Sequence, residues 1–233
     1  MTSQPESTTP QQGEVSTADV KRLTPRQVER RSAVLRAVRQ LLEEDGFDGV
    51  NMRDVARIAQ VSPSTLYEVY GSKESLILAA VEQNLHDFAT EEDHDEPGLE
   101  RLVHRLKSLA RLFEASPKAA EALSRLFFVG GQDSPANRVL LDNGIEARRI
   151  VLHEMIAMGQ LEDDLDVDFY SRALISVTWG TALFWLKGML PAGGFRTELI
   201  RSSLSMLLPW TTAGTHERVR DVIAQCSSTR VES

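Results

Sequence analysis

The sequence lacks the features that mark several classes of protein. It contains one cysteine, Cys226, so no disulfide can form within the chain, and we expect a cytoplasmic protein. No apolar run approaches the roughly 18 residues that a membrane helix needs. The N-terminus has no basic start followed by an apolar core, as a secretory signal would. We therefore expect no membrane partner.

Motifs of catalysis and cofactor binding are also missing. There is no Gly-rich phosphate loop, no His-Glu-x-x-His and no Gly-x-Ser-x-Gly. His86 and His94 share a predicted helix face with two acidic residues, but their spacing of eight is weak for metal ligands. We predict a protein that is not an enzyme and that has no catalytic residue, no metal site and no cofactor.

The charge is negative overall but unevenly distributed. The net charge is −8. Residues 20–40 nevertheless carry seven basic side chains and one acidic side chain, a local charge of +6 that leaves −14 for the rest. A basic patch on an acidic protein is typical of a site-specific DNA-binding protein, because only the surface that meets phosphates needs it. A solvated helix face is the equal alternative.

Helical periodicity runs through almost the whole sequence, and the alternating β-branched runs of strands are absent. The first predicted helix begins at Thr24, with Pro25 in its first turn, and ends at Asp45-Gly46, where glycine can take a left-handed conformation. Its apolar stripe is Val28, Leu35, Val38, Leu41 and Leu42. We predict an all-α protein of about nine helices.

Two short helices follow, joined by a tight break at 60–62. The first runs from Asn51 to about Gln60, and the second has Ser62 as its cap and ends near Tyr70. A fourth, long helix begins after Ser72. Two short helices around a tight turn form the helix-turn-helix unit, whose second helix lies in the major groove of DNA.

Further helices are predicted at about 98–115, 117–130, 135–159, 167–189 and 195–210, separated by glycine, proline and acidic breaks. The predicted organisation has four parts. These are a disordered tail at 1–22, a helix-turn-helix DNA-binding domain at 23–75, a helical effector-binding and dimerisation domain at 76–211, and a C-terminal tail of weak helical pattern at 212–233.

The stretch from Arg31 to Ala80 resembles the DNA-binding region of the TetR family of transcriptional regulators. It contains Val-Ala-Arg-Ile-Ala, Val-Ser, Thr-Leu-Tyr and Ser-Lys-Glu in order within residues 51–76, after a first helix that ends in Gly46-Phe47. The resemblance covers about a fifth of the chain. It implies a domain that binds operator DNA, followed by a variable, helical ligand-binding domain.

Short hydroxyl side chains at the start of the third helix suit hydrogen bonds to base edges or phosphates, and a lysine at a helix N-terminus suits an anion. The predicted DNA-binding residues are Arg30, Asn51, Arg53, Ser62, Pro63, Ser64, Thr65, Tyr67 and Lys73. The alternatives are helix capping for the hydroxyl residues, a surface ion pair with Asp54 or a neighbour for Arg53, and a solvated face for Arg30.

Three positions depart from the family's pattern. Val69 stands where His or Tyr often contacts the DNA backbone, Glu68 stands where Tyr or Arg is frequent, and Ser64 replaces a common Gly. We therefore expect much of the affinity for DNA to come from the arginine-rich first helix and the tail before it. Base reading is expected from the short hydroxyl side chains.

The helix predicted at 167–189 is apolar almost all round, so it should be buried on every side. In the family, the last two helices form a four-helix bundle with the partner chain. The resemblance therefore implies a homodimer through about 167–189 and 195–210. The small residues Ala173, Ser176 and Gly180 would permit close helix contact.

Aromatic and methionine side chains on facing helices are candidates for lining an effector pocket, with plain core as the alternative for each. They are Phe113, Phe127, Phe128, Met155, Met158, Trp179 and Trp185. An apolar lining with few charges suggests a small hydrophobic or amphipathic effector.

The sequence thus predicts a homodimeric TetR-type regulator that binds palindromic operator DNA and is released by a small-molecule effector. We expect a repressor, with activation as the open alternative. A helical small-ligand-binding protein without sequence-specific DNA binding is the main alternative, favoured by Glu68, Val69 and the acidic net charge. A small enzyme built on a helical bundle, with His104 or His153 in its site, is the second.

Overall fold

The structure is a computed structural model that describes residues 24–91, 96–129, 138–191 and 193–228. Within these ranges it contains ten α-helices and no strand beyond one isolated bridge, which confirms the all-α prediction. The helices are α1 (Pro25–Gly49), α2 (Met52–Ile58), α3 (Pro63–Tyr70), α4 (Lys73–Glu91), α5 (Leu99–Ala115), α6 (Pro117–Val129), α7 (Asn143–Ala157), α8 (Val167–Leu186), α9 (Gly194–Leu207) and α10 (Ala213–Ser228). The predicted tail at 1–22 and the side chains of His86 and His94 lie outside the described residues.

Helix α1 begins and breaks where its sequence predicts. The Thr24 hydroxyl accepts from the Gln27 N–H at 3.4 Å, and the Gln27 side chain accepts from the Thr24 N–H at 2.8 Å, so the two form a capping box. Gly46 has φ 69° and ψ −162°, a combination essentially restricted to glycine. The stripe from Leu35 to Leu42 is buried, but Val28 is 49% exposed because residues 24–31 all lie exposed at the start of the helix. The expectation for Val28 was wrong.

The two short helices are held by caps and by a tight turn. The Asn51 side chain accepts from the Asp54 N–H at 2.9 Å, and the Ser62 hydroxyl accepts from the Thr65 N–H at 3.1 Å. Between them, Gln60 adopts φ 53°, a left-handed conformation that the helix-turn-helix turn requires of it. Leu66 is 1% exposed, so α3 packs one face on the core and keeps the opposite face outside.

One continuous core runs from α1 to α10 in the described residues. Helix α4 contacts α1, α3, α5 and α6, so it joins the helix-turn-helix to the rest of the chain. Helix α1 also packs extensively on α6, while α9 lies against α5, α8 and α10. The N-terminal and C-terminal parts are therefore connected through packed helices rather than through a linker alone.

The segment after Thr211 differs from its prediction. The sequence predicts a tail, but Ala213–Ser228 form α10, which packs on α9. Val219 is 1% exposed, and Cys226 is half-buried, so burial raises the pKa of its thiol. The apolar stripe of α10 is short and interrupted by polar residues, which explains why its helical pattern looks weak in the sequence.

Candidate nucleic-acid interface and interior cavity

The start of α3 carries a linked group of hydroxyl side chains. The Ser62 hydroxyl lies 2.8 Å from that of Ser64 and 2.7 Å from that of Thr65, in addition to capping the helix. Ser62, Pro63 and Ser64 are exposed, and Tyr67 is 55% exposed one turn further on. Capping and outward presentation therefore coexist on these residues, and the surface offers several donors and acceptors to a duplex.

Basic side chains of α1 lie beside this surface. A groove of about 340 Å³ between α1 and α3 is lined by Arg30 and Arg31 from α1 and by Thr65 and Val69 from α3. Tyr70 lies at the same groove and is half-buried, so burial raises the pKa of its phenol while the charge of Arg31 opposes that shift. Val69 therefore borders exposed arginines, which can supply the positive charge that the valine itself lacks.

The side chain of Asn51 is engaged within its own cap. Its amide donates to the Asp54 carboxylate at 2.6 Å, and Arg57 pairs with the same carboxylate at 3.2 Å. These two contacts hold the pKa of Asp54 below its usual value. Asp54 thus pairs with Arg57 rather than with Arg53, so the ion pair considered for Arg53 does not form, and Arg53 is exposed at the start of α2.

Lys73 contacts an aromatic ring at the junction with the C-terminal part. Its ammonium lies 4.4 Å from the centroid of the Phe47 ring, and the guanidinium of Arg125 lies 4.5 Å from the same centroid. Arg125, on α6, also pairs with Asp48 at 3.0 Å. Sequence reasoning missed Arg125, because 77 positions separate it from Asp48 and no local pattern joins them.

The C-terminal part contains a half-open cavity of about 390 Å³, within the range of small-molecule sites. Its lining residues are Glu82, Leu109, Phe113, Leu123, Leu140, Asn143, Gly144, Ala147, Arg148, Ile175, Thr178 and Trp179. They come from α4, α5, α6, α7 and α8 and from the π-helical turn Arg138–Asp142 before α7. Phe113 and Trp179 are two of the seven residues predicted to line an effector pocket.

The other five predicted residues lie elsewhere. Phe127 stacks on Trp179 with ring centroids 4.2 Å apart, and Trp185 stacks on Phe195 at 5.1 Å. Met155 is fully buried in the core, whereas Phe128 and Met158 are 52% and 46% exposed. None of these five is among the lining residues of the described cavity, because residue type on a helix does not reveal which face the cavity touches.

Sequence reasoning missed two charged residues of the cavity wall, Arg148 and Glu82, because charged residues are normally expected on the surface. Arg148 donates to the Gly144 carbonyl and to the Thr178 hydroxyl, both at 3.0 Å. Burial, with repulsion from Arg105, lowers the pKa of Arg148 to about 10. Burial raises the pKa of Glu82, against the opposing charge of Arg31.

One face of α8 is exposed in the protomer, and the predicted burial of this helix on every side therefore requires a partner chain on that face. Phe169, Leu183 and Phe184 are 52%, 39% and 49% exposed. Ser176 and Gly180 lie between them on the same face, and a Cβ built on Gly180 would meet no atom within 4 Å. The outward residues of α9 are mostly polar, including exposed Arg196 and Ser205.

Comparison with known proteins agrees with this architecture. Residues 34–80 match the family model described as bacterial regulatory proteins, tetR family. The HTH-type transcriptional repressor KstR of Rhodococcus jostii is 29% identical over 163 residues, which are 69% of this chain and 74% of that protein.

Solved structures share the fold. A TetR transcriptional regulator from Rhodococcus sp. RHA1 superposes with a TM-score of 0.59 at 20% identity, covering 77% of this chain and 96% of that one. Thermus thermophilus FadR, solved in complex with lauroyl-CoA, has a TM-score of 0.58 at 20% identity, covering 76% and 93%.

No helix in the described ranges is both long and apolar enough to cross a membrane. The relatives confirm a transcriptional regulator rather than an enzyme. Residues 34–80 thus carry a DNA-binding region of the TetR type, and the repressor relative and the shared fold support a transcriptional regulator of the TetR family.

Proposed function

We propose that this regulator is a homodimeric repressor that binds palindromic operator DNA and is released by a small effector held in the interior cavity. The observation that carries the proposal is the exposed hydroxyl group of residues 62–65 beside the groove lined by Arg30 and Arg31. Short polar side chains that can read bases thus lie next to cations that can bind phosphates.

The roles divide by chemistry. Ser64 and Thr65 contact base edges, while Tyr67, Arg30 and Lys73 contact phosphates. Arg53 lies at the start of α2, where a helix N-terminus favours a phosphate oxygen. Pro63 opens α3 but has no N–H, so the N–H of the next residue, Ser64, is the backbone donor available to a phosphate there. Asn51 and Ser62 hold these helix starts in place through their caps.

The exposed face of α8 supports self-association. Large apolar side chains flank small ones, so a second copy can approach closely along Ser176 and Gly180. Helix α9 contributes to the same interface beside α8. A twofold dimer places two recognition helices about 34–36 Å apart, one turn of DNA, which matches a palindromic site.

An effector bound in the cavity can change the distance between the two recognition helices. Glu82 on α4 and Leu123 on α6 both line it, and α1 packs on both of these helices. An effector that binds better to a conformation with shifted α4 and α6 would lower DNA affinity by its differential affinity for the two states. FadR, which shares the fold, binds an acyl-CoA, and this supports an effector with an apolar part.

DNA binding is tested by fluorescence anisotropy with labelled DNA from upstream of the chain's own gene and a scrambled duplex as control. We expect preferential binding to the upstream fragment, with an affinity that falls linearly with salt on a logarithmic plot. The absence of any binding at low salt would contradict the proposal and favour the ligand-binding alternative.

The dimer is tested with Gly180→Leu, because the protomer has open space there whereas a partner helix would clash. We expect a monomer by sedimentation and at least tenfold weaker operator binding, with helicity unchanged. Gly180→Ala is the matched control and should remain dimeric. A dimer that persists in Gly180→Leu would show that the interface lies elsewhere.

A further inference from the structure

Arg148 is a cation in the wall of a largely apolar cavity. Of the twelve residues that line the cavity, Arg148 and Glu82 carry charge, and most of the others are apolar. Within the described part of the chain, no carboxylate pairs with Arg148: its two hydrogen bonds go to the neutral Gly144 carbonyl and Thr178 hydroxyl. Arg148 is partly buried, and a desolvated charge that lacks a counter-ion is costly, so its place in this wall calls for a role beyond packing.

The surroundings of Arg148 add positive charge. Arg105 lines an adjoining cavity of about 170 Å³ that shares Leu109, Ala147 and Arg148 with the main one. Glu154, the nearby carboxylate, is already paired with Arg101 at 2.9 Å. Glu82 lies on α4, and the charge that acts on it is that of Arg31 on α1. The wall between the two cavities is thus electropositive.

We propose that the effector is an amphipathic organic anion, with Arg148 binding its anionic group and the apolar lining holding its body. The inference rests on the proposed function, because it names the ligand class of the same cavity. The anionic group is a carboxylate or a comparable oxyanion.

The geometry suits this ligand class. A guanidinium has five N–H donors, of which Arg148 uses two within the protein, so several remain for an oxyanion. Guanidinium and carboxylate pair in a planar, bidentate manner that fixes the orientation of the ligand. Phe113, Leu123, Ile175 and Trp179 then offer apolar surface to the rest of the molecule.

Two fluorescent probes test the proposal on the full-length protein. Anilinonaphthalene sulfonate is an amphipathic anion, and N-phenylnaphthylamine has the same ring system without the sulfonate. Both are titrated into the wild type, Arg148→Met, Arg148→Lys and Ala147→Phe, whose added ring enters the cavity. Thermal unfolding of each variant checks that it is folded.

We expect Arg148→Met to weaken binding of the anionic probe at least tenfold and to change binding of the neutral probe less than twofold. Arg148→Lys should recover part of the loss, and Ala147→Phe should abolish binding of both probes. Inorganic phosphate at matched ionic strength should not displace the anionic probe, because it lacks an apolar body.

Equal loss of both probes in Arg148→Met would overturn the proposal, since it would indicate altered packing. Unchanged binding of the anion, its persistence in Ala147→Phe, or its displacement by phosphate would also overturn it. Operator binding of each ligand-free variant is measured in parallel. If the wild type binds the anion but no DNA, the proposed function fails while the ligand assignment stands. If it binds operator DNA but not the anion, the ligand assignment fails while the proposed function stands.

Discussion

Arg30 and Arg31 in the N-terminal part and Arg148 in the C-terminal part lie in opposite environments. On α1, Arg30 and Arg31 are exposed beside the recognition helix, and solvent screens their charge. On α7, Arg148 lies in a cavity wall, where burial lowers its pKa. An exposed arginine costs little and binds any phosphate, whereas a buried one is costly and suits one placed anion. Loss of the first should therefore impair function alone, and loss of the second should also change stability.

The largest expected effect is on DNA affinity. Arg30→Ala with Arg31→Ala removes two phosphate contacts, so we expect roughly 100-fold weaker binding at about 0.1 M salt and a salt slope lower by about two. Stability should change by less than about 0.5 kcal/mol because both side chains are exposed. Anisotropy at several salt concentrations and urea unfolding measure the two quantities. A large loss of stability would show that Arg30 and Arg31 also stabilise the fold and do not act on DNA binding alone.

The junction between the two ends depends on Gly46. Its φ of 69° and ψ of −162° suit glycine alone, and the next residue is Phe47, which contacts Lys73 and Arg125. Gly46→Ala should lower the free energy of unfolding by about 1–3 kcal/mol. Gly214→Ala is the control, because its helical position should be neutral or slightly stabilising. Equal effects in urea unfolding would contradict the role of Gly46.

Arg148→Met should stabilise the ligand-free protein by about 1–2 kcal/mol. The substitution removes a partly buried charge. The two groups that Arg148 contacts keep other hydrogen bonds, because the Thr178 hydroxyl donates to the Leu174 carbonyl and the Gly144 carbonyl lies within α7. Arg36→Met, at an exposed position of α1, is the control and should change stability little. A destabilised Arg148→Met would show that the hydrogen bonds of Arg148 outweigh the cost of burying its charge.

Base reading and phosphate binding should separate on α3. Thr65→Ala is expected to change the preference between operator variants by about 1 kcal/mol, whereas Tyr67→Phe should weaken binding to all sequences to a similar extent. Competition with single-base operator variants measures both. Uniform losses for the two substitutions would show that Thr65 does not read bases.

The smallest effect concerns pH. Burial lowers the pKa of Arg148 to about 10 in the folded protein, below its value in the unfolded chain. Between those two values the unfolded state binds more protons, so stability rises with pH. The advantage of Arg148→Met over the wild type should therefore shrink as the pH rises from about 9 to about 11. Urea unfolding across that range measures it. A constant difference would show that Arg148 keeps its ordinary pKa.

Local signals predicted the N-terminal end well. Thr24, Asn51 and Ser62 cap their helices as expected. With positive φ, Gly46 breaks α1 and Gly71 ends α3. Each of these features depends on a few adjacent residues, so periodicity and capping chemistry reveal them. Helix α10 was missed because its stability comes from packing on α9 rather than from its own pattern.

Periodicity and capping within short segments predicted the all-α class and the helix-turn-helix, and the resemblance of residues 31–80 predicted the family. Which residues share the cavity depends on the fold, because α4, α5, α6, α7 and α8 meet there from distant parts of the chain. The fold brings Phe113 and Trp179 together with Arg148 and leaves Met155 outside the cavity. Burial and the approach of distant helices determine what a charged side chain can bind. Neither can be predicted from the order of residues along the chain.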